Sequence, residues 1–73
     1  MSVTPNPSDG IFCFNYTFSN DEIVEIEILN LLGENITVTN KNEINLSNEN
    51  NGIYFYNLKT KLNDFFSGKI IKQ

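Results

Sequence analysis

Phe12-Cys13-Phe14-Asn15-Tyr16-Thr17-Phe18 puts an aromatic ring at every even position and a smaller or polar residue at every odd one. A repeat of two sends all the rings to one side of an extended chain, and no helix can use it. The stretch predicts a β-strand with one buried, aromatic face. After the turn-forming Ser19-Asn20-Asp21 the alternation restarts, with Val24, Ile26 and Ile28 on one side and Glu25 and Glu27 facing water on the other. Asn30-Leu31-Leu32-Gly33-Glu34 breaks the period, and Gly33 is free to take the positive φ that a hairpin turn needs. Ile36 and Val38 resume as the paired strand.

Further along, Lys41-Asn42 reads as a turn, Ile44 and Leu46 as a short strand, and residues 47–52 as a polar loop closed by Gly52. Tyr54, Tyr56 and Leu58 then alternate inward. Residues 60–64 form a polar turn, and residues 65–72 the last strand, with Phe66 and Ile70 on one face and Phe65 and Ile71 on the other. Nowhere do apolar residues recur at helical spacing over three turns. The pattern predicts an all-β fold, a small antiparallel Ig-like β-sandwich of six or seven short strands. Residues 1–9 are rich in turn formers and carry Pro5 and Pro7, which hold the backbone out of helix. They read as a linker remnant leading into a folded domain over residues 10–73.

Composition narrows the function. The chain has 73 residues, room for one small domain, and 40% hydrophobic residues, enough for a real core. A chain of this size buries only about 60% of its unfolded surface, which argues against a deep active-site cavity. There is no His, and Cys13 is the single cysteine, so thiolate-imidazole metal sites, Cys/His dyads, Ser/His/Asp triads and an internal disulfide are all excluded. The expectation is a non-catalytic domain without cofactor or metal. Five Lys against nine Asp and Glu give a net charge of −4, the wrong sign for following a phosphate backbone, so nucleic acid is not an expected partner. No apolar run reaches the ~20 residues of a membrane span. Residues 1–9 lack the regions of a signal peptide, so any export signal of a parent protein is expected elsewhere. The charge is also split: residues 1–58 carry −7 and residues 59–73 carry +3.

Four motifs stand in order along the chain: Pro5-Asn6-Pro7 with Gly10; a middle strand ending in Asn30 and Gly33; Gly52 followed by Tyr54; and Gly68-Lys69-Ile70-Ile71-Lys72 in the last strand. Together they span nearly the whole sequence, which resembles the type IX secretion C-terminal sorting domains. The resemblance implies an address label on a larger cargo protein, carried across the inner membrane by another signal. Translocon components of the outer membrane would recognise it, and a sortase-like cysteine protease would remove it. The expected path is the periplasm in transit, then the surface or surroundings of a Gram-negative cell. The resemblance also implies a cleavage junction upstream of Pro5, expected to be missing or truncated here.

Within that frame, Pro5 and Pro7 keep the junction extended, and Gly10, Gly33, Gly52 and Gly68 mark places where a side chain would clash, affecting sorting through the fold. Asn30 is expected to bond its own turn and Tyr54 to be a core aromatic with its hydroxyl at the rim. Lys69 and Lys72 read as a close positive pair in the last strand. They read either as protection of an edge strand or as a basic recognition feature.

Other features carry less. Three Asn-x-Ser/Thr triplets, at Asn15, Asn35 and Asn45, are what thirteen asparagines give by chance. Asp21, Glu22, Glu25 and Glu27 read as a solvated strand face rather than a cation site or a glycosidase pair. Cys13, opposite the aromatic face, reads as a partly covered free thiol. Ile53, Phe55, Phe65 and Ile71 lie opposite the main alternation and offer a patch for docking or weak self-association. The alternative from a different class is a small adhesion or carbohydrate-binding β-sandwich, which requires an exposed row of aromatics. Phe55 and Phe65 alone, without Trp, make a poor one.

Overall fold

The computed structural model describes residues 2–5, 9–16 and 23–73, with the side chains of Ile23 and Val24 left aside. The described chain is all-β. Its seven strands are β1 (Ser2–Thr4), β2 (Ile11–Asn15), β3 (Ile23–Leu29), β4 (Asn35–Thr39), β5 (Glu43–Asn45), β6 (Gly52–Thr60) and β7 (Phe65–Lys72). They form two antiparallel sheets, one in the order β1-β2-β5 and the other β4-β3-β6-β7. No helix among the described residues is long and apolar enough to cross a membrane.

The period of two is realised as expected except at Phe66, which shares the side of Ile70 on β7 and is opposite Leu58, yet is exposed. Phe12 and Phe14 from β2, Ile26 and Ile28 from β3, Ile44 and Leu46 around β5, Tyr54, Tyr56 and Leu58 from β6 and Ile70 from β7 all point between the sheets and are buried. Phe14 meets Tyr56 edge to face across the sandwich, with ring centroids 5.0 Å apart and an interplanar angle of 80°. This contact joins the two sheets near the middle of the core. Tyr16 packs against the cluster half-buried; Phe18 lies outside the described residues.

Two hairpins share one loop design. Asn30 N–H donates to the Glu34 carbonyl (3.0 Å) and Gly33 N–H to the Asn30 carbonyl (3.0 Å); Thr60 N–H donates to the Asp64 carbonyl (3.0 Å) and Asn63 N–H to the Thr60 carbonyl (3.1 Å). Each is a three-residue loop whose last residue is left-handed, Gly33 at φ 82° and Asn63 at φ 64°. In both, a side-chain oxygen of the first residue caps the turn. Asn30 Oδ1 accepts from Leu32 and Glu34 N–H, and Thr60 Oγ1 accepts from Asp64 N–H. Thr60 is accordingly a buried polar residue with its oxygen satisfied.

Two features go beyond the local pattern. Ser2–Thr4, inside the stretch read as linker, forms β1, pairing Ser2 with Asn15, Val3 with Phe14 and Thr4 with Cys13. Val3 packs against the core from this edge, a gain that only a distant partner strand supplies. Ile36 and Val38 lie in the paired strand β4 as expected, yet they do not share a face. The pairing of β4 with β3 shifts between Ile28 and Leu29, leaving Ile36 unpaired in a bulge and turned against the core, while Val38 is exposed beside Glu27.

Candidate recognition surface

Chain direction gives the sandwich two distinct ends. Ser2, Asn15, Thr39 and Thr60 lie towards one end; Gly10, Asn30, Gly52 and Lys72 lie towards the other. The second end gathers most of the motif residues named from the sequence, though they are separated along the chain.

Gly10 is buried there, at φ 154°, and its carbonyl accepts a 2.7 Å hydrogen bond from Leu46 N–H. A Cβ at this position would stand 2.8 Å from Ser47 Cα and 3.0 Å from Ser47 N. The glycine therefore lets the start of β2 lie directly on the loop that follows β5. Gly68 serves a second close approach, whereas at Gly33 and Gly52, where a clash was also expected, an added Cβ meets nothing within 4 Å and the positive φ is what favours glycine. Gly68 pairs with Tyr56, and a Cβ there would stand 2.6 Å from the Tyr56 hydroxyl and 2.8 Å from its ring. The bare backbone of Gly68 is what allows the Tyr56 ring to lie against β7 while its edge meets Phe14.

The last strand separates its two lysines. Residues paired across β6 and β7 point to the same side, so Ile70 opposite Tyr54 faces inward, and Lys72 opposite Gly52 does as well. Lys72 is buried, and its ammonium donates to the Glu49 carbonyl at 2.6 Å and to Asn51 Oδ1 at 3.2 Å. The ammonium ties the strand to the loop between β5 and β6. Lys69, opposite Phe55, is exposed on the outer face, and Ile71, opposite Ile53, is half-buried there. Lys69 and Lys72 are thus not a positive pair: their spacing of three along a strand puts them on opposite faces.

The loop held by Lys72 forms one wall of a shallow cleft of about 260 Å³, closed on the other side by the β3–β4 hairpin tip with Leu31 and Leu32. Ile36 and Ile53 also line it. Tyr54 borders it, and its hydroxyl donates to the Asn50 carbonyl at 2.6 Å. Burial, reinforced by the negative charge of Glu49, pushes the Tyr54 phenol above its usual range. Glu49, Asn51, Ser47 and Tyr56 were not singled out in the sequence as partners of the motif residues, because each acts on a residue distant along the chain.

Pro5 is exposed and follows a cis Thr4–Pro5 bond. Asn6 and Pro7 lie outside the described residues. Cys13 is half-buried, with Glu43 Oε2 4.0 Å from its sulfur. Among the described residues no three His, Cys, Asp or Glu side chains converge as a metal set would. Phe55 and Phe65 are exposed four rungs apart on neighbouring strands, and Lys59 lies 5.8 Å from the Phe65 ring centre. They form no continuous row.

The family of secretion system C-terminal sorting domains matches residues 2–73. The chain belongs to the type IX C-terminal sorting domain family. The match starts within β1, consistent with the paired position of that strand. No individual curated protein matches the chain. As a sorting domain it is a C-terminal signal of type IX secretion, the route that takes proteins to the surface or surroundings of Gram-negative bacteria.

Proposed function

We propose that this sorting domain works as a removable folded label: an upstream cargo enters through β1, translocon components recognise the sandwich in the periplasm, and a sortase-like cysteine protease then cuts the junction. The cargo ends at the cell surface or in the medium. The family match across residues 2–73 carries this reading. The sandwich supports it by offering a shaped surface. We further propose that the sorting unit includes β1, so that Pro5, Asn6 and Pro7 fall inside it in sequence rather than at its junction with the cargo. In this reading Gly10, Asn30, Gly33, Gly52, Tyr54, Gly68, Ile70 and Lys72 act by building the fold, and Lys69 and Ile71 present the recognised outer side of β7.

The test is a fusion of residues 2–73, behind an inner-membrane export signal and a reporter, followed in a type IX-competent cell. Surface or medium delivery that is lost in a translocon mutant is the expected result; periplasmic retention overturns the reading. Truncating residues 70–73 is a poor probe, because it removes the wholly buried Ile70 and the Lys72 anchor and so unfolds the label. Lys69→Glu is the better one, since it changes an exposed charge and spares the core.

A further inference from the structure

The outer face of the four-stranded sheet carries a group of apolar side chains among its polar ones. Phe55 is 41% exposed at its centre, flanked by half-buried Leu29 and Ile53, while Val38 and Phe65 stand exposed towards its edges. Its polar groups are sorted by strand and by height. Strand β3 presents Leu29, Glu27 and Glu25 in order, and β6 presents their register partners Phe55, Asn57 and Lys59. Glu27 already accepts hydrogen bonds from Asn35 and Asn57 on this face, so its charge is held in place.

We propose that this face is a self-complementary interface by which two copies of the chain pack sheet on sheet, about a two-fold axis parallel to the strands and running between β3 and β6. Such an axis lays β3 of one copy over β6 of the other at equal height. Leu29 then meets Phe55 of the second copy, Glu27 meets Asn57, and Glu25 meets Lys59, each contact occurring twice. Along β3 and β6 Leu29 thus faces an apolar ring and Glu25 a base, while at the margins Val38 faces Ser67 and Lys69 faces Asn35 of the second copy. A two-fold axis across the strands level with Tyr56 would instead set Phe55 on Asn57 and Ile53 on Lys59, and one level with Phe55 would set Ile53 on Asn57, in each case burying polar groups against apolar ones. The register therefore favours one arrangement and one occupant. The molecule's two larger extents, 32 and 22 Å, limit the footprint to about 700 Å² per copy, just under the ~800 Å² of a standard interface. A weak, concentration-dependent dimer is the result.

Sedimentation velocity on the 73-residue chain, from about 10 μM to about 1 mM, tests this, with circular dichroism confirming the fold of each variant. The wild type should dimerise as concentration rises, and Phe55→Ser should remain monomeric. Lys59→Glu and Glu25→Lys should each associate about tenfold more weakly than wild type. The Lys59→Glu chain presents two acids and the Glu25→Lys chain two lysines, so each repels a copy of itself and attracts the other. An equimolar mixture should recover association. A wild type monomeric throughout, or a mixture no tighter than either variant alone, overturns the proposal and leaves the face to a different protein. The sorting assay does not read self-association, so either reading can fail without the other.

Discussion

Replacing Gly10 with alanine should destabilise the domain more than replacing Gly52, and the difference isolates one contact. Both glycines have nearly the same backbone, φ 154° and 147°, where an L-residue is strained by about 1–3 kcal/mol. At Gly52 the added Cβ meets nothing within 4 Å, whereas at Gly10 it meets Ser47 Cα at 2.8 Å. Backbone cannot rotate away as a side-chain tip can, and overpacking of this kind costs about 1–3 kcal/mol. The loss at Gly10 should then total about 2–6 kcal/mol, against a global stability of about 4–11 kcal/mol for a chain this size. Urea and thermal unfolding followed by circular dichroism give both values. For a domain of this length each kcal/mol moves the midpoint by about 4–8 °C, so Gly10→Ala should melt at least about 4 °C below Gly52→Ala. Equal midpoints would refute the close-approach argument and reduce Gly10 to a purely conformational role.

Lys72→Ala should lower stability by about 1–3 kcal/mol, because the Glu49 carbonyl and Asn51 side chain lose a buried charged donor, while Lys69→Ala stays within about 0.5 kcal/mol. Urea titrations of the two variants decide it, and similar losses would contradict the opposite-face assignment. Stability should also fall at alkaline pH. Burial raises the phenols of Tyr16, Tyr54 and Tyr56, so the folded state keeps protons that the unfolded chain has given up. The stabilisation is complete below about pH 10, the unfolded value, and is lost as pH rises beyond it towards the folded values. Melting curves from pH 8 to 11 should show that decline, reduced in Tyr54→Phe.

The strands with an apolar period of two were legible because alternation is local: Phe12 and Phe14, Ile26 and Ile28, and Tyr54 to Leu58 each declare a buried face within a few residues. The first hairpin was legible through Asn30 and Gly33. The second repeats its geometry with Asn63 in the left-handed position, a weaker signal than glycine. Ser2–Thr4 was hidden because one apolar residue cannot show a period, and the register partner of that residue, Phe14, lies eleven residues on. The function of Gly10 was visible as a need for glycine, yet its cause, Ser47, is 37 residues away. Lys72 is different. Its parity with Ile70 marks it as inward-facing, and charge alone obscured that; what the sequence could not show is the loop that accepts its ammonium.

The placement of Ser2 and Lys72 towards opposite ends of the sandwich has a mechanical consequence. A load applied between them pulls β7 lengthwise past β6, and β1 lengthwise past β2, in each case against a neighbour running the other way. Antiparallel hydrogen bonds lie across the strands, so the bonds of each pair are strained together in shear rather than opened one by one. Drawn by one end while a cargo drags on the other, the label resists as a unit.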